Sequence, residues 1–142
     1  MTPDQIAAKK LDPKATLPTR AHPDDAGLDL YVLEDLTLGH GQGGMARTGI
    51  AVAVPQGHVG LIADRSSVAK RGLKTVGGVI DAGYRGELGV ILWNMSNQAQ
   101  TLKAGERLAQ LLILPIAVPA VQEVAELDKT ARGTGGFGST GK

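Results

Sequence analysis

The sequence predicts a mostly β fold, an antiparallel sandwich or barrel with one short helix and a flexible glycine-rich C-terminal tail. Three observations indicate this class. Apolar residues occur in short runs without a sustained helical period. Turn-forming residues separate these runs at intervals of about ten residues. The chain also contains 20 glycines but only one Phe, one Trp and two Tyr, which favours many turns around a core of Val, Leu, Ile and Ala.

Four apolar runs predict strands, and one polar segment predicts the helix. The runs are rich in Val, Ile and Leu and are bounded by Gly, Pro, Asn or Asp; they are 49–55, 58–64, 88–94 and 107–118. Segment 66–73 predicts a helix of at most about two turns. Ser66 or Ser67 offers a side-chain oxygen for its N-cap, and Gly72 suits its C-terminal end.

The length of the chain, 142 residues and 14.7 kDa, predicts one folded domain, which we place at 1–130. The glycine-rich composition after it predicts a flexible lid at 131–142. A formal net charge of +1 gives no electrostatic reason to expect binding to nucleic acid or to a membrane surface. No apolar run approaches the roughly 20 residues that span a bilayer. The N-terminus lacks the apolar core of a signal peptide. We therefore expect a cytoplasmic protein.

The absence of cysteine from the sequence excludes disulfides, a thiol nucleophile and cysteine-based zinc sites. The three histidines do not have the spacing of metal ligands. Any metal ion would therefore be held mainly by oxygen atoms.

Two stretches in the first half of the chain carry candidate polar sites. In DDAGLDLY (24–31), strand alternation places Asp29 opposite Leu28 and Leu30, so its carboxylate needs a partner or solvent. An Arg-paired or solvated acid is the simpler interpretation. In ADRSSVAKRGL (63–73), Arg65, two serine hydroxyls and the N–H groups of a helix start could cradle a phosphate. An ordinary serine N-cap is the alternative.

Two later stretches add a candidate cavity and a buried amide. In VGGVIDAGYRGELGVILWN (76–94), the small residues between Asp81 and Tyr84 predict the tip of a β-hairpin with both side chains near its mouth. Main-chain groups of open hairpin arms could read the edge of a flat base; a purely structural hairpin is the alternative. In KAGERLAQLLI (103–113), Gln110 lies among apolar neighbours and needs a partner, either backbone or ligand.

The tail combines flexibility with two residues suited to a nucleotide. Its glycines could let backbone amides curl around a polyphosphate, while Arg132 adds charge and Phe137 a flat face for a base. We therefore interpret the tail as a lid. A linker without function is the alternative.

These five stretches, in this order, resemble the signature motifs of the homotrimeric deoxyuridine triphosphatases, or dUTPases. The resemblance runs from about Pro18 to Gly141. The family motifs A-G-x-D-L, P-R-S-G-L-A, G-x-I-D-x-D-Y-x-G, G-[DE]-R-[ILM]-A-Q and R-G-[ST]-G-G-F-G-S-[ST]-G are matched, in order, by 26–30, 64–69, 78–86, 105–110 and 132–141. It implies a jelly-roll-like fold, three identical chains with shared active sites, and hydrolysis of dUTP to dUMP and pyrophosphate. That activity keeps uracil out of DNA and supplies dUMP for thymidylate synthesis.

The resemblance also implies a role for each candidate residue. Asp81 is implied as the general base for the water that attacks the α-phosphorus, and Tyr84 as the residue that packs against the deoxyribose. The implied uracil, phosphate and tail contacts are, respectively, the main chain of Gly78, Val79 and Ile80; Arg65, Ser66, Ser67 and Gln110; and Arg132, Phe137 and Gly138. Mg²⁺ is implied to bridge the phosphates, with Asp29 holding one of its waters.

Some positions depart from the family pattern. Asp64 stands where a proline is usual, Ser67 where a glycine is usual, and Gly83 where a second aspartate is usual. Ser67 brings the segment closer to the deoxycytidine triphosphate deaminases, which share the fold. Their chemistry needs a glutamate on the strand after the hairpin, and 88–92 contains no acid. A trimer that binds regulatory proteins without catalysis is the other alternative.

Overall fold

The computed structural model describes residues 4–138, which form short antiparallel strands and one helix. The predicted mostly β class is therefore confirmed. In chain order the elements are β1 (Ala7–Lys10), β2 (Leu28–Tyr31), β3 (Leu36–Leu38), β4 (Gly43–Arg47), β5 (Ile50–Ala53), β6 (His58–Asp64), α1 (Ser66–Ala69), β7 (Leu73–Val76), β8 (Val79–Ile80), β9 (Gly89–Asn94), β10 (Gln100–Leu102) and β11 (Arg107–Pro115).

Two sheets enclose one apolar core. The larger sheet has the strand order β2-β11-β6-β8 and the smaller one β4-β9-β7, while β1-β5 and β10-β3 form two-stranded ribbons. Both sheets contribute to a single buried cluster, with Leu30 and Leu111 from the larger sheet and Leu73, Val90 and Leu92 from the smaller. Alternation along β9 explains this, because every second residue of a strand points to the same face.

The predicted strands are present, with ends set by glycine, proline and pairing. The run 58–64 is β6. The run 49–55 shortens to β5, because Gly49 has a φ of 69° and Pro55 cannot donate a ladder hydrogen bond. The run 107–118 ends as β11 at Pro115, which pairs with His58, the first residue of β6. One further hydrogen bond follows, from the N–H of Ile116 to the carbonyl of Gly57 at 2.9 Å, before the pairing ends.

The helix α1 is shorter than predicted and has a different N-cap. Its N-cap is Arg65, in an extended conformation and without a side-chain capping hydrogen bond, so the prediction of a Ser66 or Ser67 cap is wrong. The helix ends at Ala69 with Lys70 as its C-cap, so the predicted helix end at Gly72 is also wrong. A turn continues to Gly72, which has a φ of 86° and donates its N–H to the carbonyl of Ala69. Within residues 4–138, no helix is long and apolar enough to cross a membrane.

The predicted hairpin around Asp81 has its turn but not its paired arms. The N–H of Tyr84 donates to the carbonyl of Asp81 at 3.1 Å, which closes the turn. The first arm, β8, pairs with β6, whereas the returning chain bonds through the N–H of Leu88 to the carbonyl of Ile50. Each arm therefore satisfies its backbone on a different strand, and an open gap remains between them.

Candidate active site

A polar cavity of about 320 Å³, here called the arginine cleft, lies at one end of the larger sheet. The side chains of Asp29, Arg65, Ser66, Arg107 and Gln110 line it. Strand register explains the grouping, because Gln110 on β11 is paired with Asp29 on β2 and with Ala63 on β6, two residues before Arg65. The structure thus brings together four residues from three separate motifs that were predicted to bind phosphate or metal.

Asp29 is the anchor of this cleft. Its Oδ1 lies 3.1 Å from Nε of Arg65, and its Oδ2 lies 3.6 Å from Nη1 of Arg107. The side chain of Asp29 is only 14% exposed, so the pairs are partly shielded from solvent. The interpretation of an Arg-paired acid is confirmed. Asp25 also lines the cleft, so its lining holds two guanidinium groups and two carboxylates. The five N–H donors of each guanidinium exceed what Asp29 can accept, which leaves donors for a phosphate.

Gln110 was expected to have either a backbone or a ligand partner, and the structure shows a backbone partner. Its Nε2 donates to the carbonyl of Asp64 at 2.8 Å. Its side chain lies against Gly27, where any residue with a Cβ would clash with it. An amide nitrogen has two N–H groups, so one remains for a ligand. Ser67 lies outside the arginine cleft, where its Oγ accepts from Nη1 of Arg65 at 3.3 Å.

A second cavity, of about 470 Å³, opens between the arms that flank the Asp81 turn and is here called the Asp81 cavity. Its lining residues are Met45, Arg47, Val79, Ile80, Asp81, Tyr84, Glu87 and Gly89. β8 is the edge strand of its sheet, and edge strands present N–H and C=O groups without a strand partner. The cavity therefore combines an exposed carboxylate, a tyrosine and a strand edge.

Gly78 stands behind this cavity as a structural residue. Its φ is 93°, and its carbonyl accepts the N–H of Ile62 at 2.8 Å. A Cβ at this position would lie 3.0 Å from Cβ of Ile62. Glycine is therefore needed to start β8 against β6, whatever contact its main chain makes with a ligand.

The two cavities lie at opposite ends of β6. Ile80 pairs with Gly60 near the start of this strand, which places Asp81 beside Val59, whereas Arg65 follows its last residue. Six residues at about 3.3 Å per residue separate the two positions by about 20 Å. Within one chain, Asp81 and Arg65 therefore line separate cavities.

The described tail residues, 131–138, do not line either cavity. Nε of Arg132 donates to the carbonyl of Gly135 at 2.7 Å, within the tail itself. Phe137 has a φ of 52° and a fully exposed ring, and it is followed by Gly138 with a φ of 86°. The last residues of the fifth motif, 139–141, lie outside the described part of the chain.

A family model described as dUTPase matches residues 13–141, nearly the whole chain. The chain belongs to the dUTPase family. The family resemblance seen in the five motifs is thereby confirmed. Among curated relatives, the deoxyuridine 5'-triphosphate nucleotidohydrolase of Rhodococcus erythropolis is 49% identical, with 96% of this chain and 85% of that protein covered. The enzyme of the same name from Mycolicibacterium gilvum is 46% identical, with 96% and 94% covered.

Solved dUTPase structures share the fold. A mutant dUTPase of Staphylococcus bacteriophage 80alpha, solved with dUpNHpp, superposes with a TM-score of 0.92 at 31% identity and covers 99% of this chain and 100% of its own. A mutant dUTPase of Staphylococcus aureus phage phi11, described with a structural Mg(II) ion, gives 0.84 at 29% identity, with 89% and 100% covered.

The departure from the dUTPase motif at Asp64 does not add free negative charge to the arginine cleft. The Asp64 carboxylate accepts from Nζ of Lys74 at 2.6 Å, and from the N–H and Oγ1 of Thr75 at 2.8 and 2.7 Å. Burial by itself raises the pKa of Asp64, but these hydrogen bonds outweigh it and hold the pKa below its ordinary value. Asp64 thus joins the larger sheet to β7 of the smaller sheet.

Replacing Asp64 by Asn is expected to reduce the free energy of unfolding at neutral pH by about 1 kcal/mol, because a charge-assisted contact is lost. Since the folded-state pKa of Asp64 is lowered, the contribution is present above the unfolded pKa and is lost as the pH falls through the folded value. Urea unfolding at fixed protein concentration from pH 7 to pH 3 measures the difference.

The matched control for this change is Asp128→Asn in the exposed C-terminal segment, which should leave the stability unchanged. A stability difference for Asp64→Asn that stays constant into the acid range would contradict the assignment.

Sequence reasoning missed Arg107 as a partner of Asp29, and it missed Met45, Arg47, Glu87 and Gly89 around Asp81. Arg107 lies in the fourth dUTPase motif together with Gln110, and this membership could have identified it as a residue of the site. Met45 and Arg47 precede Asp81 by more than thirty residues and belong to no motif. Only the pairing of β4 with β9 brings them to the cavity.

Proposed function

We propose that this protein is a dUTP diphosphatase, which hydrolyses dUTP to dUMP and pyrophosphate. The observation that carries the proposal is the distribution of the dUTPase motifs over two open cavities, one with an exposed carboxylate and one with clustered arginines. Relatives with this activity in their names align with nearly the full chain.

The proposed chemistry uses Asp81 as general base. Its carboxylate takes a proton from a water molecule as the water oxygen bonds to the α-phosphorus. The bond between that phosphorus and the bridging oxygen breaks, and pyrophosphate leaves with the electron pair. Arg65, Ser66 and Gln110 stabilise the phosphate charge that redistributes in this step.

The selection of the nucleotide is proposed to occur in the Asp81 cavity. The edge of β8, at Val79 and Ile80, can pair with the uracil edge as a neighbouring strand would. Cytosine has the reversed donor and acceptor pattern, and the methyl group of thymine needs extra room. Tyr84 is proposed to pack against the sugar where a 2′-hydroxyl would project.

The active form is proposed to be a homotrimer in which each site uses several chains. The separation of about 20 Å between Asp81 and Arg65 along β6 supports this, since both must act on one triphosphate. Two exposed apolar surfaces offer contacts between chains. One is the outer face of the smaller sheet, with Met45, Ile91 and Trp93; the other is the segment after β11, with Val118, Val121 and Leu127.

Mg²⁺ fits the arginine cleft as a partner of the phosphates. Within residues 4–138, no group of three or more His, Asp or Glu side chains could hold a metal ion by itself. A carboxylate has about four acceptor positions, and Asp29 uses two on arginines, so it can also accept from a metal-bound water. When bound, Mg²⁺ would neutralise phosphate charge.

The first test is pyrophosphate release from dUTP, dCTP, dTTP and UTP, each with Mg²⁺ and with a chelator. We expect turnover of dUTP alone, and a large loss with the chelator. Ammonia released from dCTP would instead favour a deaminase of the same fold. No product from any of the four would favour a trimer that only binds regulatory partners. The cytoplasmic location stays a prediction.

A further inference from the structure

An ion pair outside the five motifs holds one end of the loop that carries Tyr84. The Glu87 carboxylate accepts from Nε and from Nη2 of Arg47, both at 3.1 Å, and from the N–H of Gly49 at 3.2 Å. Arg47 ends β4, and Gly49 lies in the turn before β5. The Arg47 guanidinium and the Gly49 N–H hold the pKa of Glu87 below its ordinary value. The end of the Tyr84 loop is thus attached to the turn between β4 and β5.

Tyr84 is attached directly to this anchor. Its hydroxyl donates to the main-chain carbonyl of Glu87 at 2.7 Å. The ring lies close over the chain between them, so that a Cβ on residue 86 would come within 2.5 Å of its Oη and would displace the ring; Gly86 leaves it in place. At the other end of the turn, the N–H of Tyr84 donates to the carbonyl of Asp81. A continuous set of contacts therefore runs from Arg47 through Glu87 and Tyr84 to Asp81.

We infer that the Arg47–Glu87 ion pair positions Tyr84 and thereby sets how strongly the enzyme rejects a ribonucleotide. The inference rests on the proposed function, because it takes Tyr84 as the residue that packs against the sugar. The tyrosine ring excludes a 2′-hydroxyl only if it fills the space where that hydroxyl would lie, so a small displacement of the ring weakens the exclusion. The Glu87 carbonyl has two restraints: the Leu88 N–H of the same peptide unit donates to the carbonyl of Ile50 at 2.9 Å, and the Glu87 carboxylate is bound by Arg47. Without the ion pair only the main-chain restraint remains, which leaves the carbonyl and the ring bonded to it more freedom to shift. Arg47 and Glu87 act as positioning residues and need no contact with the nucleotide.

The chain provides a matched control for this idea. Glu34 also faces Arg47, with its Oε1 at 3.7 Å from Nη1, but its side chain is 62% exposed and it holds neither Gly49 nor the tyrosine loop. Glu34→Gln and Glu87→Gln are the same chemical change around the same arginine. Only Glu87→Gln weakens the attachment of Tyr84.

The experiment measures kcat/KM for dUTP and for UTP in the wild type, Glu34→Gln, Glu87→Gln and Arg47→Met. We expect the ratio of UTP to dUTP turnover to rise about tenfold in Glu87→Gln and in Arg47→Met, as for the loss of one ionic hydrogen bond. Glu34→Gln should keep the wild-type ratio. The double variant Arg47→Met/Glu87→Gln should show no larger rise than either single change, because both remove one interaction.

Each outcome decides between clear alternatives. An unchanged ratio in Glu87→Gln and Arg47→Met, with or without a lower melting temperature, would overturn the inference and leave the pair a purely structural contact. If one variant fails to fold, Arg47→Lys keeps the charge with a single donor group and should raise the ratio by a smaller factor. A wild-type protein without dUTP hydrolysis would overturn the proposed function, and this inference with it.

Discussion

Replacing Asp81 by Asn is expected to reduce the rate of dUTP hydrolysis between about a hundredfold and ten-thousandfold, the usual contribution of a general base. The amide retains the size of the carboxylate but cannot take the proton of the attacking water. Binding of dUTP should change little, because the proposed contacts with the base, the sugar and the phosphates are made by other residues. Single-turnover kinetics and equilibrium binding of dUTP measure the two effects separately.

Mixing two variants tests whether the Asp81 and the Arg65 of one active site come from different chains, and it also tests Asp81 as the base. Arg65→Met should weaken binding through the phosphates, and chains with this change retain an intact Asp81. If Asp81 and Arg65 act from different chains, refolding Asp81→Asn together with Arg65→Met restores activity. Random assembly would complete about a quarter of the sites. Activity no greater than the sum of the separate variants would show that each chain works alone, and full turnover by Asp81→Asn would remove it as the base.

A chain that ends at Thr130 is expected to lose about a hundredfold in kcat/KM for dUTP, because a closing lid orients the substrate and excludes water. The truncated chain should fold normally. Residues 116–138 form no strand or helix, and the buried core is built entirely from residues before them. Steady-state kinetics and thermal unfolding of both chains provide the comparison.

A full-length variant with Arg132→Gln and Phe137→Ala separates the tail's side chains from its glycine backbone. It should lose nearly as much activity as the truncated chain if charge and stacking carry the effect. Equal turnover by the truncated and full chains would show that the tail is a linker.

The strands that could be predicted are those whose own sequence is mainly apolar. Strands that form only because a distant strand pairs with them could not be predicted. β6 and β9 are rich in β-branched and other apolar residues between turn signals, so their sequences are sufficient. β4 begins with two glycines, and β1 is exposed at every position. In β4, Gly43 is required because the Trp93 ring of β9 occupies the place of its side chain. Such strands depend on partners far away in sequence.

The candidate site shows the same division. Asp29, Arg65 and Gln110 could be grouped from the sequence through the family resemblance, because each lies in one of its motifs. The pairing of β11 with β2 and β6 is what brings them together. The contacts of Glu87 with Arg47 and Gly49 span about forty residues, and no local pattern indicates them. The wrong N-cap has a local reason, since Arg65 already extends toward Asp29 when the helix begins.

The placement of the two cavities at opposite ends of β6 also bears on how the amount of protein relates to its output. If a working site exists only where chains meet, dilution removes sites as well as molecules, and activity per milligram falls once the concentration drops below that needed for assembly. A cell that halves its supply of this chain near that threshold would lose more than half of its hydrolysis. Expression level and catalytic capacity are then no longer proportional.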